Sequence, residues 1–342
     1  MIHSCSRALA LALLLILMAG CGPIPDYRIL AEGDRTPPMF LGAESTSKRT
    51  IVLNFDEAVR PVEGTVSITP ELPIEGVAAE GNTLVVALAA DQAVGREYTI
   101  EAAAEDLKRN SITLLCHLYG FNPDVPHVVI NEFITQGSDT HPDLVELLVT
   151  SGGNTAGLCI CEGSRDHWQE RFIFPAILVQ SGDYLLVHWK PQGIPAEVNE
   201  TDDKSASQGY DASPTAYDLW IPAGDGLSGN NGVVAVYASP GGRLLDAVLY
   251  SNRTSASDDT YDGFGSGEVL LQATQIVEEG GWTFAGEKVA PEDAVNPEDS
   301  TATRSLCRTS QSLDTDAAAD WHVVPTKGAT FGGPNLDDCY VK

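Results

Sequence analysis

Between residues 50 and 120 the apolar side chains alternate with polar ones in short runs. RTIVLNFDEAV places Ile51, Leu53 and Phe55 on one face, TVSIT repeats the pattern at Val66 and Ile68, GNTLVVAL follows a Gly-Asn turn signal, and REYTIEA sets Tyr98 beside Ile100. A period of two over runs of this length predicts half-buried strands, and turn residues every 10–15 positions or so predict a β-sandwich. A Pro-bounded linker, FNPDVP, ends at Pro126, and a second set of runs begins: VVINEFIT, DLVELLV, RFIFPAILV, GDYLLVHW, and GVVAVYASPGGRLLDAVLY, which reads as a hairpin turning at Ser239-Pro240-Gly241-Gly242. Six or more such strands predict a second sandwich. The fold class expected is therefore all-β, with two sandwiches in tandem.

The N-terminus follows another pattern. Arg7 precedes the apolar run ALALALLLILMAG, which is too short to span a bilayer comfortably and ends in small residues before Cys21. Residues 1–20 read as a cleaved signal peptide and residues 21–35 as a tether. Leu17-Met18-Ala19-Gly20-Cys21 resembles a spirochaete-type lipobox, with Met18 at a position where Leu is usual. The resemblance implies lipidation of the Cys21 thiol and a protein held to the bacterial cell envelope, at the outer membrane or cell surface. Each buried CH₂ of an acyl chain adds about 0.8 kcal/mol to such an anchor, so no spanning helix is needed.

Charge narrows the partners. The 342 residues carry 20 Lys plus Arg against 48 Asp plus Glu, a net charge of −28. Such a surface repels polyanions, which excludes a nucleic-acid binder, and it does not dock on anionic lipid by charge. Cations and cationic partners remain compatible.

Within the first predicted sandwich, the opening TPP, NFDEAV (Asn54 to Val59), GNTLVVAL, GREYTI and the Asp106…Asn110 turn resemble bacterial Ig-like domains, with Arg109 standing where that family's D-x-x-G-N turn has Gly. The resemblance implies a spacer or interaction module at 36–124 with no catalytic residues. Asp56 and Glu57 could bind a cation, but charge that protects a strand edge explains them as well. In the second, Val129-Ile130-Asn131-Glu132, Asp143 to Leu147, Gly182-Asp183-Tyr184-Leu185, Gly232 to Tyr237, Asp246 to Tyr250 and a closing segment (Thr303-Arg304-Ser305, Ala319-Asp320-Trp321, Gly333-Pro334-Asn335) resemble the lamin-tail domain, an Ig-like module. That resemblance implies a lamin-tail domain over 127–338, interrupted by two polar insertions at 193–214 and 251–302, which read as mobile surface loops.

Candidate chemistry is sparse. Glu132 and Glu146 fall on adjacent predicted strands and could form an acid/base pair, although a hydrogen-bonded framework accounts for them better. The segment SDDTYDGFGSGE offers Asp258, Asp259, Asp262 and Glu268 as binding residues, with Ca²⁺ as the one conceivable cofactor, but it lacks EF-hand spacing. No metal site of four N or S ligands and no nucleophile motif is present; Asp166-His167-Trp168 and His188-Trp189 read as aromatic packing. With Cys5 in the leader and Cys21 lipidated, five thiols remain, and Cys307 with Cys339 is one pairing among the alternatives that include Cys159 or Cys161. The expected function is non-catalytic: a lipid-anchored protein displaying its second domain to an extracellular protein or glycan. The alternatives are an accessory module of a secreted nuclease or phosphatase system, and a purely structural envelope component.

Overall fold

The computed structural model describes residues 34–342; the leader, Cys21 and most of the tether lie outside the described residues. Eight strands build the first domain: β1 (Phe40–Ser47), β2 (Thr50–Phe55), β3 (Val59–Pro61), β4 (Ser67–Thr69), β5 (Ile74–Glu80), β6 (Thr83–Leu88), β7 (Glu97–Asp106) and β8 (Ser111–Tyr119). One sheet runs β1-β2-β6-β5; in the other, β7 pairs with β8 on one side and with β3 and β4 on the other. The period-two pattern is realised residue by residue. Ile51, Leu53 and Phe55 of β2 and Tyr98, Ile100, Ala102 and Ala104 of β7 point into one core, while their neighbours face outward.

The second domain contains β9 (His127–Ile134), β10 (Leu144–Ser151), β11 (Gly153–Asn154), β12 (Cys159–Gly163), β13 (Trp168–Ile173), β14 (Leu178–Val179), β15 (Tyr184–His188), β16 (Tyr217–Trp220), β17 (Asn231–Tyr237), β18 (Leu244–Ser251), β19 (Leu306–Arg308) and β20 (Trp321–Val323). A six-stranded sheet, β16-β15-β10-β9-β19-β20, faces a four-stranded one, β13-β12-β17-β18, across a separate apolar core. The all-β class expected from the sequence is what forms. The two domains meet closely at Gly95, where a Cβ would lie 2.5 Å from the carbonyl carbon of Ala156, and Asn122 Nδ2 donates to the carbonyls of Asn154 (2.7 Å) and Ala156 (3.0 Å).

Two expectations are corrected. The 251–302 insertion is not a loose loop: it carries α1 (Gly267–Glu278), capped by Ser266 Oγ accepting from Val269 N–H. Val269, Ala273 and Ile276 form a helical stripe that joins the core, together with Trp282 and Val295 from the same insertion. The cysteines from 116 onward are all free thiols; Cys307 is buried and Cys339 exposed, and the two are not joined. Cys307 Sγ instead lies 3.6 Å from His322 Nε2, inside the sheet that the terminal segment covers.

Candidate functional site

Every residue of β9 after His127 is buried, because the strand is covered on both faces: by the core on one, and on the other by the chain that returns after β18. Pairing with β10 sets Glu146 opposite Glu132 and Leu147 opposite Ile130, so Asn131 is the extra residue of a β-bulge. A bulge re-aims side chains, and here three polar groups enter one buried compartment.

Each carboxylate is fully engaged. Glu132 accepts from Ser305 Oγ, from Thr330 N (3.0 Å) and from Thr330 Oγ1 (2.8 Å). Glu146 accepts from Asn131 Nδ2 (2.7 Å) and Gly332 N (2.6 Å). Asn131 Oδ1 accepts from Ser312 Oγ (2.7 Å) and from Asn335 Nδ2 (3.1 Å), and Asn335 Nδ2 also reaches the Arg308 carbonyl at 2.9 Å. Both glutamates are 0% exposed. Burial, reinforced by the neighbouring Glu132 charge, pushes Glu146 up to about 8, so it holds its proton at neutral pH. Burial likewise raises Glu132, against the hydrogen bonds from Ser305 and Thr330.

Beside this pair sits Arg308, also 0% exposed. Its Nε donates to the Ile130 carbonyl (2.7 Å), Nη1 to the Leu313 carbonyl (3.0 Å) and to Asp320 (3.1 Å), and Nη2 to Asp246 on β18 (3.2 Å). Asp314 approaches Nη1 at 3.0 Å, and the guanidinium lies 4.7 Å from the Trp321 ring centre. Asp246 in turn accepts from Ile130 N at 2.6 Å; burial pushes it up to about 7 against the pull of Arg308. One guanidinium thus joins β9, β18 and the terminal segment, a use that the planar five-donor fork of Arg permits.

This arrangement fastens the returning chain to β9 and β10. A general acid or base must come within hydrogen-bond reach of a substrate proton, and residues 303–335 stand between these carboxyls and solvent. A second buried cluster has the same character. His188 Nε2 lies 2.7 Å from Asp218 and its ring stacks 3.7 Å from Trp220, while Glu200 accepts from Asp218 N (2.8 Å) and Ser207 N (2.8 Å).

Asp258, Asp259, Asp262 and Glu268 do not converge, so the calcium cage considered for this segment is not built. Asp258 accepts from Thr260 N (2.9 Å), Asp262 pairs with Lys288, Asp259 is exposed, and Glu268 sits in the first turn of α1, 3.8 Å from His167. Among the described residues, the carboxylates that gather in threes closely enough to share an ion are Asp34, Glu57 and Asp106 in the first domain and Asp246, Asp314 and Asp316 in the second. Arg308 already supplies the cation of the second group, Asp106 is spent on its turn, and Asp56 accepts from Met39 N (2.7 Å). Of the five tryptophans, four are buried; Trp168, at 41% exposure, lies under Arg171 at 4.3 Å.

Glu132, Glu146 and Asn131, expected from the sequence to be either an acid/base pair or a hydrogen-bonded framework, are here hydrogen-bonded to the returning chain, and Arg308 was not among the expected residues. An arginine between apolar LC and a Ser/Asp-rich run in so acidic a chain was the available signal.

The chain is similar to an uncharacterized protein of Treponema pallidum (strain Nichols), 25% identical over 245 residues, which are 71% of this chain and 61% of that protein. It therefore spans about three fifths of the length of the curated relative it matches. Among solved structures, the N-terminal part of the bacterial S-layer protein SbsC is matched at 16% identity and a TM-score of 0.25, over 38% of this chain and 35% of that one. Domains 1–6 of SbsC are matched at 14% identity and a TM-score of 0.25, over 63% of this chain and 41% of that one. The family model for the TP_1001 protein second domain matches residues 126–323, more than half of the chain, the stretch that holds the bulge, the paired glutamates and Arg308, and the chain belongs to that family.

Proposed function

We propose that this protein is a non-catalytic envelope lipoprotein, anchored through acylated Cys21, that holds its second domain away from the membrane for extracellular binding or adhesion. The observation that carries the non-catalytic part is the sealing of Glu132 and Glu146: the two carboxyls best placed for acid/base work have no solvent-facing atom and are bonded to the chain on every side. The apolar run before Cys21 and the small residues preceding it support the anchor, and no helix among the described residues is long and apolar enough to cross a membrane. The similarity of the closing segment to lamin-tail domains supports a binding module.

The test is twofold. Mass spectrometry of the N-terminal peptide from membranes, with and without globomycin, is expected to find an acylated Cys21 that the drug abolishes; an unmodified Cys21 in the soluble fraction overturns the anchor. Purified full chain is expected to leave phosphodiester and phosphomonoester substrates intact while binding saturably on a glycan and matrix-protein array. Turnover lost on Glu132→Gln would instead favour the hydrolase-accessory reading.

A further inference from the structure

The buried network has a consequence at the surface. Ala329 and Phe331, whose neighbours Thr330 and Gly332 are pinned from behind by Glu132 and Glu146, form one wall of a cavity of about 460 Å³, within the range of small-ligand sites. The other walls come from the end of β9, the loop before β16 and the turn before β19. The interior is mostly apolar, with Ile134, Pro214, Ala302 and Phe331 facing it.

We propose that this pocket binds a small amphipathic anion, an aryl or alkyl body bearing one acidic group. Two formally charged side chains line the cavity, Asp211 and Lys327, with His141 beside them. Asp211 is taken by His141, its Oδ1 lying 2.9 Å from Nδ1. Lys327 has no ion-pair partner among the described residues, in a chain with a net charge of −28. Of the two charged side chains in the lining, the one without a side-chain partner is therefore the cation, and the complement of an apolar cavity with an unpaired cation is an amphipathic anion.

The backbone points the same way. Asp211 and Lys327 both occupy the left-handed region, at φ of 60° and 66°, which costs a non-glycine residue energy and persists where the surroundings enforce it. Lys327 N is held by the Thr303 carbonyl at 2.8 Å, and Thr215 Oγ1 ties the loop before β16 to the Gly332 carbonyl at 2.7 Å. The cavity is thus preformed, so binding requires little ordering. This site is independent of the anchor and of any macromolecular partner.

The experiment is calorimetric titration of the full chain in dodecyl maltoside with three similar probes: 4-phenylbutyrate, its amide and 4-phenylbutylamine, each referenced to detergent alone. The expected result is saturable one-to-one binding of the carboxylate, at least tenfold tighter than the amine. Ala302→Phe and Ala212→Phe, which narrow the cavity from different walls, are each expected to weaken the carboxylate at least tenfold without changing the melting curve. Lys327→Asn, at an exposed position whose φ Asn tolerates, is expected to weaken the carboxylate severalfold and leave the amide unchanged. No saturable heat from any probe, an amine that binds as tightly as the carboxylate, or Lys327→Asn without effect would overturn the proposal.

Discussion

Replacing Arg308 by Ala tests how much the terminal segment depends on one side chain. The substitution removes donors to the Ile130 and Leu313 carbonyls and to Asp320, and leaves Asp246 buried without its cation. Breaking a buried ion pair from one side costs roughly 3–5 kcal/mol, because the remaining charge has neither partner nor water. For a domain of about 150–250 residues each kcal/mol moves the midpoint by about 2–4 °C, so Arg308→Ala is expected to lower it by roughly 6–20 °C. Arg308→Lys restores the charge but offers a compact ammonium in place of the fork, so it is expected to fall between the two. The assay is selective without labels. The five tryptophans lie at positions 168, 189, 220, 282 and 321, so their fluorescence reports the second domain alone, and Trp321 adjoins Arg308. Adding Asp246→Leu to Arg308→Met is expected to recover part of the loss, as apolar replacement of a whole buried pair often does. A midpoint for Arg308→Ala within 2 °C or so of the parent, or Arg308→Lys equal to the parent, would refute the assignment of Arg308 as the joint between β9, β18 and the terminal segment.

Three further outcomes are expected. The raised carboxyls make stability fall with rising pH: Glu146 keeps its proton when folded but loses it when unfolded, so its contribution is complete below about 4.5 and is lost as pH climbs through about 8, a swing on the order of 5 kcal/mol at most. Urea titrations at pH 5.5 and 8.5 should show this slope, and Glu146→Gln, neutral throughout, should flatten it; an unchanged slope contradicts the assignment. Arg109 adopts φ 70° in the turn where Asp106 accepts from Lys108 N and Asn110 N, so Arg109→Gly is expected to stabilise the first domain by about 1 kcal/mol in denaturant titration, and a loss of stability would be contrary. Among the thiols from Cys116 onward, a native thiol reagent should label Cys339 quickly and the others slowly, since Cys159, Cys161 and Cys307 are buried and burial pushes Cys116 up to about 11 and Cys159 to about 12. Five equivalents are expected after unfolding; three would mean that a disulfide had closed.

What the sequence revealed and what it concealed follow the range of the interactions involved. The strands of the first domain depend on neighbours two residues apart, and Ile51, Leu53 and Phe55 face inward as their alternation requires. The turn at Asp106 was also legible, because its hydrogen bonds span four residues; Arg109 takes the conformation a glycine would take. The helix was missed although Val269, Ala273 and Ile276 carry its stripe, because the acids around it dominate the composition of that insertion. Glu132 and Glu146 were recognised as a facing pair, but the bulge at Asn131 that aims them depends on which residue of β10 lies opposite. Arg308 was not legible at all: its acceptors at Ile130 and Asp246 are 178 and 62 residues away, and no local pattern marks an arginine that tertiary structure will bury. Asp258, Asp259, Asp262 and Glu268 failed as a cation site for the converse reason, since closeness in sequence did not bring their oxygens together.

The central claim is that the paired glutamates act as anchors for a segment that would otherwise be surface loop. Amide hydrogen exchange at Thr330 and Gly332 tests it most directly, because both N–H groups lie outside any strand yet donate into buried carboxylates. The expected result is protection of these two amides approaching that of β9 and β10, lost when Glu132 or Glu146 is replaced by Ala. Exchange at the rate of an open loop in the parent protein would contradict the account.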